Sequence, residues 1–300
     1  MINYSFIIPH KNCPDLLKRC ISSIPQREDI QIIVVDDCSD SNYSTLLLDL
    51  TKNIELVKLV KSEGAGSARN AGLSIAKGKW VIFVDCDDFY VDGFISVLDK
   101  YIDSDLDVLY FNYVGIYSDS MRQYTRYNKL TNYYYKFDNS INGLNKIRYG
   151  ITMPWNKMIR MEVLRRFSLD FEVLPKGNDV RFSYMVAYFS RKVAVEIKPL
   201  YYWTLQPNSV THQHLSYSKA LSVVILREKS RYFLLHMGIA QRGVYALILR
   251  YLIYNGLSDA WRIFWAYCRN KNKIMSERKS YLTYIESRII ETTIITNIKK

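Results

Sequence analysis

The 300-residue sequence lacks an uninterrupted run of about 18 apolar residues, which is the length that a membrane-spanning helix needs. Its first residues contain no basic segment followed by an apolar one, so we expect no signal peptide. The five cysteines are odd in number and have no paired spacing, which indicates neither a disulfide framework nor a zinc motif and favours a reducing compartment. We therefore expect a cytoplasmic protein that is soluble or lies peripherally at the inner face of the cell membrane.

The common glycine-rich phosphate motifs are also absent. The glycines around residues 64–72 follow neither the G-x-G-x-x-G nor the G-x-x-x-x-G-K-[ST] spacing, which excludes a Rossmann dinucleotide site and a P-loop. Apolar residues make up 49% of the chain and charged residues 23%, a globular composition. The length is enough for one large domain or two modest ones.

An acidic cluster follows a short apolar run at residues 80–84. Asp85, Asp87 and Asp88 come directly after this run, which is typical of a strand buried on both faces of a parallel sheet. Ligands of such sheets bind beyond the carboxyl ends of the strands. If the chain stays extended, Asp85 and Asp87 point to the same side, where their oxygens would suit Mg²⁺ or Mn²⁺. The alternative is an acidic turn that caps the next helix.

Strand and helix patterns alternate along the first part of the chain. Helical spacing occurs at residues 13–24 and 46–50, and a glycine-bearing loop at residues 62–72 enters a helix that continues to residue 76. Strand patterns occur at residues 4–8 (stopped by Pro9), 31–35, 54–60, 80–84 and 107–111. This alternation predicts an α/β fold with a mostly parallel sheet flanked by helices.

Two further features at the predicted strand ends can carry chemistry. Asp36 and Asp37 follow the second strand and could either bind a base or ribose or cap the next helix. Arg69 lies at a predicted helix start, where anions such as phosphate are favoured.

Four motifs occur in register and carry a family resemblance: Ile8-Pro9, Val35-Asp36-Asp37-x-Ser39, Gly66-x-x-Arg69-Asn70-x-Gly72 and Val84-Asp85-x-Asp87-Asp88. Together they resemble the family 2 glycosyltransferases, which have a GT-A fold, in the branch that builds bacterial surface polysaccharides. The match is close over residues 1–115 and looser over residues 150–210. One departure is His10-Lys11-Asn12, where the family commonly has an aromatic or aliphatic residue, then Tyr, then Asn.

The resemblance implies roles for the matching residues. Asp85 and Asp87 would hold the ribose and a diphosphate-bound Mg²⁺ or Mn²⁺, and the nucleotide-binding residues would be Pro9, Asp36, Asp37, Arg69 and Asp85. Asp37 is favoured for the base. The donor implied is a nucleotide sugar, with a UDP-sugar favoured.

The pair Asn178-Asp179 resembles the family's Glu-Asp pair at a helix start, whose Asp is the catalytic base. Here Asn178 replaces the Glu. A carboxylate within hydrogen-bond reach of an acceptor hydroxyl can take its proton as the new bond forms. The alternative for Asp179 is a helix N-cap.

Other segments resemble the acceptor side of the family. Trp155 could form the floor of a sugar site or be buried beside a turn, and Lys157 and His212 could contact phosphate. Thr204 stands where relatives often carry Arg. The Tyr-rich residues 116–150 could stack on sugars or form an exposed antiparallel hairpin.

The basic charge is concentrated at the end of the chain. Residues 216–300 contain fifteen Lys or Arg and five Asp or Glu, a net charge of +10 out of +12. Apolar residues at helical spacing lie among these charges, which predicts basic amphipathic helices. Such helices either contact an anionic membrane or form a packed subdomain with a solvated basic face. We expect no nucleic-acid partner, because no recognisable binding module accompanies the charge.

The sequence therefore predicts three segments: a nucleotide-sugar-binding half at residues 1–115, an acceptor-binding half at 116–215 and a basic helical extension at 216–300. The resemblance predicts an inverting, metal-assisted glycosyltransferase that transfers to a glycan or lipid-linked saccharide in capsule, O-antigen or exopolysaccharide synthesis. The alternatives are an inactive nucleotide-sugar-binding module of the same fold and, with less support, a sugar nucleotidyltransferase.

Overall fold

A computed structural model of the chain describes residues 1–40, 54–124, 128–174, 177–205, 216–236, 238–239 and 244–298. The chain divides into two compact units, Met1–Pro207 and Asn208–Lys300. The finer division of the first unit at residue 115 stays a prediction.

The first unit is built on one sheet with flanking helices. Its described strands are β1 (Tyr4–His10), β2 (Ile30–Asp36), β3 (Ile54–Lys58), β4 (Trp80–Phe83), β5 (Phe89–Tyr90), β6 (Val108–Tyr117), β7 (Lys157–Arg160) and β8 (Val193–Leu205). Its described α-helices are α1 (Pro14–Ser22), α2 (Ala65–Ile75), α3 (Phe94–Leu98), α4 (Asn128–Tyr135), α5 (Ile141–Gly150), α6 (Met161–Arg166) and α7 (Asn178–Phe189).

The sheet has the strand order β3-β2-β1-β4-β7-β6-β8-β5. β1 pairs in parallel with β2 and β4, and β2 pairs in parallel with β3. β7 is antiparallel to both of its neighbours, while β6 and β8 are parallel. β1, β2 and β4 are buried along their whole length, which explains their continuous apolar runs. The predicted α/β fold is confirmed.

Close packing of α2 on β1 depends on a glycine. A Cβ atom added at Gly72 would lie only 2.4 Å from Cγ2 of Ile7. The helix therefore lies directly on the strand, and its first turn is held at the sheet edge where β1 and β2 end.

The prediction that β1 stops at Pro9 was wrong, because the strand continues to His10. The backbone oxygen of Ile7 faces β4, where it accepts a hydrogen bond from the amide of Val84, and that of His10 faces β2, where it accepts one from Asp37. The nitrogen of Pro9 therefore faces the β4 side, beyond the last residue of that ladder. A proline is tolerated in a strand where no ladder hydrogen bond is needed.

The middle of the chain also differs from the expectation. Instead of an exposed hairpin, residues 128–150 form α4 and α5, and the ring of Tyr134 is fully buried. The helical period was not visible in the sequence, because Tyr134 faces the core while the next residue, also a tyrosine, faces solvent. The helix predicted at residues 46–50 lies outside the described residues.

The second unit is helical, as predicted. Its described helices are α8 (Tyr217–His236), α9 (Val244–Asn255), α10 (Leu257–Arg269) and α11 (Lys271–Ile298). Their core contains Ala220, Val224, Ile263, Ala266 and Ile274. Within the described part of the chain, no helix combines the length and the apolar character needed to cross a membrane.

Candidate functional site

The carboxyl ends of three neighbouring strands form the candidate site. β1 lies between β2 and β4, and His10 is the register partner of Asp36. Parallel strands end at the same edge of a sheet, so the segments after β1, β2 and β4 come together there. Pro9, Asp36, Asp37 and the acidic cluster are thus placed at one edge, as the motif order predicted.

The acidic cluster forms a turn and not an extended segment. The amide of Asp88 donates to the backbone oxygen of Asp85 over 3.0 Å. Because of this turn, the expectation that Asp85 and Asp87 share a side by strand alternation does not apply. The turn is fixed by Tyr201, whose hydroxyl donates to Oδ2 of Asp88 over 2.9 Å and accepts from the amide of Asp85 over 3.2 Å.

Asp88 holds the acidic turn in place, a role that residue spacing does not indicate. Its side chain is buried, and Oδ1 accepts from the amide of Thr204 over 2.6 Å. Burial raises the pKa of the Asp88 carboxyl well above its ordinary value. Thr204 also donates through Oγ1 to the backbone oxygen of Asp87 over 2.7 Å, so this residue holds the acidic turn.

Arg19 supports the same turn from α1. Its Nη2 donates to the backbone oxygen of Asp87 over 2.6 Å, and its guanidinium lies 4.7 Å from the ring centre of Phe89. The sequence offered only weak signals for these partners. Asp88 belonged to the acidic cluster, but its partner Tyr201 lies 113 residues further along the chain.

Arg69 joins the acidic turn to the start of α7. Its side chain is nearly buried, and Nη2 lies 2.6 Å from Oδ1 of Asp85. Nη1 donates to Oδ1 of Asn178 over 3.0 Å. Asn178, which departs from the family pattern, therefore keeps a polar contact with the site. The ring of Phe171 lies 5.3 Å from the guanidinium and shields it.

Asp87 has the properties of a carboxylate suited to a cation. Burial and the neighbouring charge of Asp85 raise the pKa of Asp87 to about 7. Among the described residues, no Lys, Arg or His side chain forms an ion pair with the carboxylate of Asp87. The carboxylates of Asp85 and Asp87 repel each other. They fit an Mg²⁺ or Mn²⁺ ion, whose charge would relieve this repulsion.

Asp179 lies in the first turn of α7. The N-cap residue of this helix is Gly177, with φ of 75°, so the alternative that Asp179 is the N-cap does not hold. Burial raises the pKa of Asp179 above its ordinary value, while the charges of Arg69 and Lys157 lower it. A carboxylate with a raised pKa is a stronger base than one in water.

Asp36 and Asp37 face different partners. Oδ1 of Asp36 accepts from the amide of Ser39 over 3.1 Å. The Asp37 carboxylate accepts from the amides of Glu63 and Gly64 and from the hydroxyl of Ser62, at 2.8–3.2 Å. Asp37 therefore holds the loop before α2, and its base contact stays a prediction.

The acceptor-side residues lie in the core. Trp155 is 2% exposed, and its ring stacks on Tyr201 with 4.7 Å between ring centres. Lys157 is fully buried and donates to Oδ1 of Asn156 over 2.7 Å and to the backbone oxygen of Met153. Burial lowers the pKa of Lys157 to about 7. Trp155 therefore takes the buried alternative, and Lys157 is buried as well, so its contact with phosphate stays a prediction. His212 lies outside the described residues.

Comparison with known proteins identifies the family. The family model described as "Glycosyl transferase family 2" matches residues 5–167. EpsH of Bacillus subtilis is 24% identical over 225 residues, which cover 70% of this chain and 63% of EpsH. The UDP-Glc:alpha-D-GlcNAc-diphosphoundecaprenol beta-1,3-glucosyltransferase WfaP of Escherichia coli is 31% identical over 116 residues, 38% of this chain and 45% of WfaP. The chain thus spans less than two thirds of either relative.

The fold has a solved counterpart. The crystal structure of S. aureus TarS 1-349 in complex with UDP-GlcNAc aligns with a TM-score of 0.61 at 18% sequence identity, over 94% of this chain and 92% of that one. This likeness confirms the predicted GT-A-like architecture. With the family match over more than half of its length, the chain belongs to glycosyl transferase family 2.

Proposed function

We propose that the chain is an inverting glycosyltransferase of bacterial surface-polysaccharide synthesis, such as that of a capsule, O-antigen or exopolysaccharide. It transfers a sugar from a UDP-sugar to a saccharide or lipid-linked saccharide. The observation that carries this proposal is the double contact of Arg69, which ties Asp85 of the acidic turn to Asn178, the neighbour of Asp179. The family match supports the reaction class. The UDP-GlcNAc bound to TarS and the UDP-Glc donor of WfaP support the donor class.

The residues divide the chemistry between them. Asp87 and Asp85 would hold Mg²⁺ or Mn²⁺, which would stabilise the negative charge on the departing diphosphate. Asp179 takes the proton from the acceptor hydroxyl, and its raised pKa suits this task. Direct attack by the hydroxyl from the opposite face inverts the anomeric centre. Arg69 keeps the acidic turn and the start of α7 in fixed relation.

The acceptor is proposed to be anchored at an anionic lipid surface that the second unit contacts. Six large apolar side chains on α9 and α10 are 44–73% exposed: Tyr245, Leu249, Leu252, Ile253, Leu257 and Trp261. The net charge of +10 over residues 216–300 complements anionic headgroups. The lipid diphosphate in the name of WfaP is in keeping with such an acceptor.

Calorimetric titration with UDP-sugars tests the proposal. We expect binding of one UDP-sugar that requires Mn²⁺ and is lost with EDTA or in Asp87→Asn. Asp179→Asn should keep this binding and lose turnover, because it removes only the base. The anomeric configuration of the product, read by NMR, decides between inversion and retention. Metal-independent binding that survives Asp87→Asn, without turnover on any acceptor, would favour a nucleotide-sugar-binding module instead.

A further inference from the structure

Three soft metal ligands meet beside the acidic turn. Nδ1 of His10 lies 3.4 Å from Sγ of Cys13, and Sγ of Cys13 lies 3.0 Å from Sγ of Cys86. All three ligand atoms lie within 4.8 Å of one another. Cysteine spacing did not indicate this cluster, because Cys86 lies 73 residues after Cys13.

The fold brings these residues together from three elements. His10 is the last residue of β1, Cys13 is the N-cap residue of α1, and Cys86 lies inside the acidic turn. His10 is buried, whereas Cys13 and Cys86 are partly exposed. A cation can therefore reach the thiols from solvent while the imidazole closes the inner side.

We propose that His10, Cys13 and Cys86 form a binding site for a thiophilic divalent cation of the Zn²⁺ class. Two thiols and one imidazole match the three-ligand zinc sites that keep an open fourth position. These ligands differ in kind from the carboxylates of Asp85 and Asp87, which select hard cations. The site therefore does not depend on the Mg²⁺ or Mn²⁺ assigned to the glycosyltransferase reaction.

The ligand atoms are close enough for a tetrahedral ion if the cysteine side chains adjust, and the third pair, Nδ1 of His10 and Sγ of Cys86, must approach about 3.5 Å from a separation of up to 4.8 Å. Zn–S bonds of about 2.3 Å and Zn–N bonds of about 2.0 Å place two sulfurs about 3.8 Å apart and a sulfur and nitrogen about 3.5 Å apart. The observed 3.4 Å between nitrogen and sulfur already matches. The two sulfurs must separate by about 0.8 Å, which small χ1 rotations of the two cysteines supply. The ion binds both cysteines as thiolates, and the imidazole then carries its proton on Nε2.

Cobalt spectroscopy on the reduced, full-length chain under anaerobic conditions tests the site. We expect one equivalent of Co²⁺ to produce thiolate-to-cobalt charge-transfer absorption, and one equivalent of Zn²⁺ to abolish it. The band should be lost in Cys13→Ser and Cys86→Ser. It should persist in Cys268→Ser, the matched control for a partly exposed cysteine outside the cluster. It should also persist in Asp87→Asn, which separates this site from the carboxylate site.

A second measurement uses only the wild type, so its result does not depend on whether the variants fold. Zn²⁺ should protect Cys13 and Cys86, but not Cys268, from maleimide labelling read by peptide mass spectrometry. Absence of the band in the wild type, its survival in Cys86→Ser, or equal labelling of all three thiols with and without Zn²⁺ would overturn the proposal.

Discussion

Nη2 of Arg69 lies 2.6 Å from Oδ1 of Asp85, so a nearly buried guanidinium on α2 holds the turn that follows β4. The side chain of Asp85 is 31% exposed and that of Arg69 is 7% exposed, so the arginine is the partner shielded from water. Removing Arg69 would leave Asp85 and Asn178 without this donor.

We predict that Arg69→Met lowers the free energy of unfolding by about 1–2 kcal/mol, because two charge-assisted hydrogen bonds are lost at a partly screened site. Arg69→Lys keeps the charge, but a lysine lacks the two-pronged guanidinium that reaches both acceptors. Its free energy of unfolding should therefore lie between those of the wild type and Arg69→Met. Urea unfolding of both variants checks this. A wild-type midpoint for Arg69→Met would show that the pair adds no stability.

The proposed metal site should depend on pH through Asp87. Its pKa of about 7 means that the carboxyl must lose a proton before it binds a cation. We predict that the affinity for a UDP-sugar in Mn²⁺ rises from about pH 6 to pH 8. A UDP-sugar is the better probe, because the terminal phosphate of UDP itself titrates near pH 6.

Asp87→Asn is the control for this titration, and it should show no gain in UDP-sugar affinity between pH 6 and pH 8. The same pKa shift affects the metal-free protein. The folded state holds the proton more tightly than the unfolded chain, whose Asp pKa is about 3.9. As the pH rises from about 4 to about 7, the contribution of Asp87 to the free energy of unfolding therefore falls. In the binding titration, a UDP-sugar affinity of the wild type that stays constant from pH 6 to pH 8 would contradict the role given to Asp87.

Buried Lys157 should make stability rise at alkaline pH. Its folded pKa is about 7, and that of an unfolded lysine is about 10.4, so the unfolded chain binds the extra proton between these values. From pH 7 to pH 9 we predict a gain of about 2 kcal/mol in wild type relative to Lys157→Met. Urea unfolding at both pH values measures it. Lys146→Met, at an exposed lysine, should show no such difference.

Gly66 allows α2 to approach the segment before α7. A Cβ atom at this position would lie 2.3 Å from the backbone oxygen of Glu172 and 3.0 Å from Cβ of Asn178. We predict that Gly66→Ala destabilises the protein by about 3 kcal/mol and weakens UDP-sugar binding, because the clash moves Arg69 relative to Asn178. Ser67→Ala, on the same helix, should change both quantities little. If Gly66→Ala bound the UDP-sugar as tightly as the wild type, binding would not depend on the spacing between Arg69 and Asn178.

The proposed membrane surface is tested by sedimentation with lipid vesicles. Replacing Leu249 and Ile253 together by Ser should reduce binding to phosphatidylglycerol vesicles about tenfold or more, because two exposed apolar side chains are lost. Tyr117→Ser, at an exposed apolar residue of the first unit, is the matched control. Binding that is equal on neutral and anionic vesicles, or unchanged in the double variant, would contradict the proposal.

Much of the fold could be predicted because it depends on local patterns. The runs ending at Val35 and Val84 are continuous because β2 and β4 are buried on both faces, and this burial is visible in the residue types alone. The tyrosines around Tyr134 gave no clear period, so α4 and α5 were missed. The sequence allowed Trp155 to be either buried or part of a sugar site. It is buried because the rings of Tyr113 and Tyr201 pack against it.

The sequence by itself determined the family, the strands β1, β2, β3, β4 and β6 with the helices α1 and α2, and the edge at which Asp36, Asp85 and Asp87 gather. These follow from motif order and from the burial of whole strands. Only the tertiary structure decided that Arg69 pairs with Asp85 and Asn178, that Lys157 is buried and that Cys13 meets Cys86. Hydrogen bonds, pKa shifts and metal ligation depend on distances of a few ångströms between segments far apart in the chain, and residue spacing does not contain those distances.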